Sequence, residues 1–342
     1  MEITIHNSEQ ASSPLATQDL GNVRGEFHAL VSGCGAYQSS LSARIKLTGK
    51  DRVRWLNGMI TNNIRDLAPN HGVYAFLLNP QGRILGDLHA YNLGTSLLVE
   101  TEQSQVPKVL EIFNHYIIMD DVAVEDVSSS FSTIGIAGPK SKTVLEAAGI
   151  HVPELQPLEI RDDEWRGTKL TLIRLENDGY EIWIAPDSAV HLLRALQENG
   201  GTSIGPAALE LHRIALGTPR YGQDIRERDL PQETEQAQAL NFNKGCYIGQ
   251  EIVERIRSRG AVHRMFTGFI VDGPLPPPGG KVQVEGKDVG EITSNAALPT
   301  KDGEQNVALG YIRREVGPQS KEIFAGATKL SIAKLPFQLI FG

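Results

Sequence analysis

Residues 271–280 read VDGPLPPPGG, four prolines and three glycines in ten positions. No helix or central strand runs through such a stretch, because proline lacks the backbone donor and fixes φ. Beyond it, residues 281–285, 287–293, 307–312 and 329–333 are short strand-like runs separated by turn residues. That is the pattern of a small all-β barrel or sandwich. At 342 residues the chain also exceeds what one hydrophobic core usually holds, so two or three structural units are expected. We place them at 1–24, a polar lead; 25–264, the main region; and 265–342, the C-terminal barrel.

Within the main region the periodicity changes repeatedly. Residues 43–47 (ARIKL) alternate as a strand, the turn residues 48–51 follow, and Val53, Leu56 and Ile60 then recur at helical spacing. Strands at 73–78 and 84–91 flank Asn79-Pro80-Gln81-Gly82, a tight-turn sequence that predicts a hairpin. A strand at 96–100, a helix at 106–116, strands at 122–127 and 131–137 and a helix at 140–148 come next. A similar rhythm then returns at 170–175, 180–185 and 189–198. Frequent hairpins among helices predict an α+β fold of two sheet-plus-helix halves rather than a parallel βαβ array.

The formal charge of −8 repels phosphate backbones and anionic lipid, so contact with a polyanion requires a local basic patch. Two cysteines, Cys34 and Cys246, are too few for a disulfide framework and suit a reducing, cytoplasmic compartment. The first residues carry no secretory or import pattern, and no apolar run approaches membrane-spanning length. Phosphate-loop, dinucleotide, nucleophile-elbow and zinc-helix motifs are absent from the sequence. Two cysteines and scattered histidines also give no metal site.

Three groups of residues are candidates for chemistry. Cys246 stands in Asn243-Lys244-Gly245-Cys246-Tyr247-Ile248-Gly249-Gln250-Glu251. There Lys244 favours a reactive thiolate and Gly245 and Gly249 permit close backbone approach; the alternative is an inert, buried small side chain. Arg255, Arg257 and Arg259 alternate, and on an extended strand they share one face, spaced to straddle an anion; a solvated strand face paired with Glu251 and Glu254 explains them equally. Asp87 and Glu181 are carboxylates in strand sequences, able to accept hydrogen bonds from ring amines or to take a proton.

KGCYIGQE followed by EIVERIRSRGAVHR resembles the defining segment of the YgfZ-type folate-binding proteins. RIKLTGKDRVRWLNGMITNNI, GVYAFLLNPQGRILGDL, GIAGPKS, NDGYEIWI, RYGQD and GEITSNAALP follow the order of the wider family that includes the glycine-cleavage T-protein, GcvT. The resemblance covers about residues 25–335. It implies two interleaved α+β domains and a C-terminal β-barrel around a central cavity that binds tetrahydrofolate. It further implies that Asp87, Tyr74, Glu181 and Arg213 lie at the folate; the chemistry of the basic run adds Arg255, Arg257 and Arg259 as holders of its anionic tail. Cys246 with Lys244, Gly245, Tyr247, Gly249, Gln250 and Glu251 is then the functional motif. The implied role is a factor supporting iron-sulfur proteins, including tRNA-modifying enzymes, with Cys246, Lys244 and Asp87 as its chemical residues. The alternative is a folate-dependent aminomethyltransferase. GcvT-like enzymes carry two consecutive acids where this chain has Gly86-Asp87, which weighs against the transferase reading.

Overall fold

The computed structural model describes residues 21–341 apart from 178, 261, 317–321 and 339, together with all their side chains except that of Arg259. Most of the expected polar lead lies outside the described residues. The chain runs through α1 (Val23–Ser32), β1 (Gly35–Ser39), β2 (Ser42–Thr48), α2 (Arg52–Met59), β3 (His71–Leu78), β4 (Ile84–Asn92), β5 (Leu97–Glu102), α3 (Val106–Tyr116), β6 (Ala123–Asp126) and β7 (Ser132–Ala137). It continues through α4 (Ser141–Ala147), β8 (Ile160–Trp165), β9 (Thr168–Arg174), β10 (Gly179–Ile184), α5 (Pro186–Glu198), β11 (Thr202–Ser203), α6 (Pro206–Leu216) and α7 (Gln250–Arg259). The last strands are β12 (Arg264–Asp272), β13 (Lys281–Val284), β14 (Lys287–Thr300), β15 (Gly303–Arg313), β16 (Ile323–Ala325) and β17 (Thr328–Ala333).

Two sheets and a barrel result. One sheet has the order β3-β4-β5-β2-β6, the other β11-β1-β7-β10-β9-β8. The first is inserted between β1 and β7 of the second, which is the interleaving expected from the resemblance. Strand alternation gives each sheet one apolar face. Ile45, Leu47, Ala75, Leu77, Leu88 and Val99 pack against Trp55, Leu56, Val109 and Phe113 of α2 and α3. In the other sheet Ile134, Ile136, Leu172, Ile182 and Ile184 pack under α4 and α5 through Val144, Leu145, Leu192 and Leu196. The remaining two faces look at each other, joined by Tyr91, Leu98, Ile160, Ile173 and Trp183.

The six C-terminal strands close in the order β12-β15-β14-β13-β16-β17. The proline-rich run is a loop within this barrel, between β12 and β13, rather than the connection into it. Asn295 and Thr328 pin it by donating to the carbonyls of Pro276 and Pro274 at 2.7 and 2.9 Å. The barrel rests on α1 and α6 through Phe27, Ile214, Phe266, Leu309 and Tyr311. Among the described residues no helix is long and apolar enough to cross a membrane.

One expectation fails outright. The segment carrying Arg255, Arg257 and Arg259 is the helix α7, not a strand. Val253 is buried and Ile252 packs against the β3–β4 turn at Gly82, so helical anchoring overrides the polar-apolar alternation. At about 100° per residue, Arg255 and Arg257 diverge by roughly 200° and cannot form a shared anion clamp.

Candidate functional site: a carboxylate-lined cavity between the sheets

Because successive strand residues point to opposite faces, the residues between the apolar ones of β3, β4 and β5 converge in the gap between the sheets. Tyr74, Asp87, His89, Tyr91, Glu100 and Glu181 line a cavity of ≈ 300 Å³ there, closed by Arg213, Arg220 and Tyr221 from α6 and the loop after it. Four residues expected at the ligand, Tyr74, Asp87, Glu181 and Arg213, are therefore together.

Asp87 is held rigidly. The Tyr74 hydroxyl donates to its Oδ2 and the Gln105 amide to its Oδ1, both at 2.8 Å. Its own backbone N–H donates back to Gln105 at 3.2 Å. Burial, followed by the charge of Asp87, pushes the Tyr74 phenol well above its ordinary pKa, so Tyr74 stays a donor. Two neutral donors fix the carboxylate's direction.

The floor is an ion cluster that sequence reasoning missed. Arg44, only 1 % exposed, donates to Glu100, Glu181 and Thr133 at 2.9, 2.9 and 2.7 Å and lies over the Trp183 ring at 4.3 Å. One guanidinium thus bridges the two sheets and serves two carboxylates. Burial first, then the nearby Glu181 charge, drive the Glu100 carboxyl pKa well upward, so this acid holds its proton past the usual carboxylate range. Tyr37 reaches the same region across Gly135, and a Cβ on Gly135 would stand 2.2 Å from the tyrosine ring. Only glycine fits at that crossing.

A family model described as the GCVT N-terminal domain matches residues 13–244, more than half of the chain. The chain belongs to the GCVT family. Among its relatives, the aminomethyltransferase of Bacillus licheniformis is 25 % identical over 331 residues, 92 % of this chain and 90 % of that one. That of Nostoc sp. is 28 % identical over 332 residues, 91 % and 86 % of the two chains. A chloroplastic protein of Arabidopsis thaliana is 25 % identical over 288 residues, and the chain spans 66 % of its length. In fold, the structure matches the glycine cleavage system aminomethyltransferase T of Bartonella henselae with a TM-score of 0.83 at 22 % identity, covering 95 % of this chain and 92 % of that one.

Within this GCVT-family cavity the departure at Gly86 has a geometric counterpart. A Cβ at Gly86 would stand 3.0 Å from Gln105 Oε1, so the amide that orients Asp87 crowds the place of a second acidic side chain. Arg213 reaches the cavity but is committed elsewhere. Its five N–H groups donate to Glu210 twice, to Thr218 O, to Asp224 and to Ser294. Asp224, fully buried, also accepts from Thr293 and Ser294; Arg213 is thereby a latch between α6 and the barrel strand β14, with no donor left for a ligand. Arg220, paired with Glu210 at 2.9 Å and with a third of its side chain exposed, is the wall arginine open to an anion.

The KGCYIGQE segment lies outside the cavity lining. Its thiol, Cys246, is exposed, while Cys34 is buried. Lys244 is 6 % exposed and donates to the carbonyls of Asn57, Ile60 and Asn62, each at 2.6 Å. Burial, then Arg65, pull its pKa down to about 7; the three acceptors oppose this, because only the ammonium has three N–H groups to give. With all three donors taken, Lys244 ties the motif to the end of α2 and offers no hydrogen bond to the thiol. Gly249 sits at φ 82°, and a Cβ there would stand 2.6 Å from Asn79 O, so the motif docks on the β3–β4 turn. Tyr247 enters the apolar cluster with Phe76, Leu78 and Ile225, against which Tyr74 and Tyr221 of the cavity wall also pack. Gln250 and Glu251 begin α7. Arg257 pairs with Glu254 at 3.5 Å and covers Phe242, and neither it nor Arg255 lines the cavity.

Proposed function

We propose that this chain binds tetrahydrofolate or a related reduced folate in the Asp87 cavity and acts in one-carbon group transfer of the aminomethyltransferase type. The observation that carries the reading is Asp87 itself, a carboxylate aimed into an aromatic-walled cavity by Tyr74 and Gln105. The wall chemistry suits a pterin-like ring. Glu181 and Asp87 accept from ring amine and amide N–H groups, Tyr74, His89 and Tyr91 offer aromatic surface, and Arg220 can pair with the carboxylate tail. A bound tetrahydrofolate supplies the nitrogen atoms that accept a one-carbon unit. Asp87 orients those nitrogens and can take a proton from them, and Gln105 keeps the carboxylate in position. The relatives named aminomethyltransferase support the same direction.

Calorimetric titration with 5-formyltetrahydrofolate tests binding, and turnover with an aminomethyl-lipoyl carrier protein tests transfer. Asp87→Asn is expected to abolish turnover while leaving the chain folded. Absence of folate binding by the wild-type chain would overturn the reading.

A second reading is supported by Cys246, whose exposed thiol is presented on a braced loop outside the cavity. In it the chain is a cytoplasmic, YgfZ-type, folate-binding factor serving iron-sulfur proteins or their assembly machinery, tRNA-modifying enzymes among them. Unchanged iron-sulfur enzyme activities on replacing the cellular copy with Cys246→Ala would sink it.

A further inference from the structure

His89 occupies the centre of the cavity wall. Across the sheet, direct register places it between Tyr74 of β3 and Glu100 of β5, and Arg44 of β2 continues that row opposite Glu100. Along its own strand Asp87 and Tyr91 stand two residues to either side, on the same face. The ring packs at 5.1 Å from Tyr74 and stacks at 6.3 Å from Tyr91, centroid to centroid.

Tyr74, Asp87 and Glu100 spend polar groups on one another or on neighbours, and Arg44 does so through its terminal nitrogen while its Nε is sealed from solvent. His89 does not. Among the described residues neither ring nitrogen has a hydrogen-bond partner, and neither is among the side-chain atoms sealed from solvent without a partner. Both therefore reach the cavity surface. A neutral imidazole there differs from the charged wall groups, because it donates through one nitrogen and accepts through the other. Aspartate and glutamate carboxylates only accept, and arginine only donates.

Resting on the reading of the cavity as a reduced-folate site, we propose that His89 is a specificity-determining contact. The acceptor nitrogen of its neutral ring takes an N–H of a planar heteroaromatic ligand, and protonation of the ring removes that acceptor and weakens binding. The groups facing the imidazole are Asp87, Tyr91, Tyr74, Glu100 and Arg44 from its own sheet, with Glu181 from the opposite sheet. Glu176, from the turn before β10, and the cavity-wall residues Glu102, Arg213, Arg220 and Tyr221 complete the set. Burial lowers the ring's affinity for a proton, and Glu176, Asp87 and Glu181 partly offset it; the net direction is downward from 6.5, so the neutral ring is the form present at neutral pH. Affinity is then flat at neutral pH and falls only where acid protonates the ring, below its ordinary 6.5.

The test is calorimetric titration of 5-formyltetrahydrofolate between about pH 5 and 8 with wild type, His89→Gln and His89→Leu, each verified as folded by its cooperative thermal transition. Glutamine keeps one donor and one acceptor but does not titrate. The expected result is that His89→Gln stays within about threefold of wild type at pH 8 and loses the acid fall. His89→Leu is expected to bind about tenfold more weakly at pH 8, also without the fall. Wild-type affinity in His89→Leu would overturn the proposal, as would an acid fall that persists in His89→Gln, since the titrating group would then be another. Wild-type binding with no pH dependence would overturn it alone, and no wild-type binding at any pH would overturn the folate reading with it.

Discussion

Replacing Lys244 with methionine separates two roles for the KGCYIGQE segment. The ammonium donates to three carbonyls at 2.6 Å, and charge-assisted bonds contribute about 1.5–3 kcal/mol each, or roughly 4.5–9 in all. Burial opposes this. A fall in pKa from 10.5 to about 7 corresponds to about 5 kcal/mol against the charged form at about 1.36 kcal/mol per pH unit. The net contribution of the charged group is therefore between about zero and 4 kcal/mol. In the variant the carbonyls of Asn57, Ile60 and Asn62 lose their donor at about 1 kcal/mol each, so Lys244→Met should destabilise the chain by about 3 kcal/mol or more. With about 2.1 cal/mol/K per residue over 342 residues, unfolding entropy is about 0.7 kcal/mol/K, and the midpoint should fall by about 4 °C. In parallel, the rate at which Cys246 reacts with a disulfide reagent at neutral pH should change by less than about threefold, because no Lys244 donor is directed at the thiol. A tenfold or greater fall in thiol reactivity with an unchanged midpoint would refute the bracing role and restore Lys244 as activator of the thiolate.

Arg44→Met leaves Glu100 and Glu181 buried against each other without their cation, and should cost about 3–5 kcal/mol in denaturant unfolding. Glu100→Gln should flatten the pH dependence of stability. A carboxyl that keeps its proton longer when folded contributes stability present below about 4.5 and lost as pH rises through its raised value, so wild type should weaken relative to the variant on going from acid to neutral pH in thermal scans. Gly135→Ala sets a methyl 2.2 Å from the Tyr37 ring and should destabilise by about 1–3 kcal/mol, measured by urea unfolding. Arg220→Ala should weaken calorimetric binding of a polyglutamylated reduced folate about tenfold at low salt, with a smaller difference at high salt.

Much of the architecture is legible in local periodicity. The helix at 106–116 and the hairpin around Asn79-Pro80-Gln81-Gly82 are observed with little change, because a strong apolar stripe and a proline-glycine turn leave few alternatives. The barrel strands are equally clear from their turn residues, although β14 and β15 extend well past the runs expected of them. Where two periods fit the same residues, sequence cannot choose. In 255–259 arginines alternate, yet Val253 and Ile252 find partners only on a helix, and packing decided the outcome.

The same division holds at the site. Sequence by itself determined that Asp87, Tyr74 and Glu181 sit on strands with a polar face, and the resemblance grouped them. It could not reveal that Arg44, fifty-six residues from Glu100 and 137 from Glu181, is the cation joining them, because that pairing exists only when two interleaved sheets close face to face. Nor could it divide the lysine and arginines between ligand and scaffold. Lys244 and Arg213 carry full charges in chemically suggestive surroundings, but every donor they own is taken by the fold itself. Side-chain type and spacing are written in the chain; which hydrogen-bond capacity remains unspent for a ligand depends on long-range contacts, and tertiary structure alone leaves it with Asp87, His89 and Arg220.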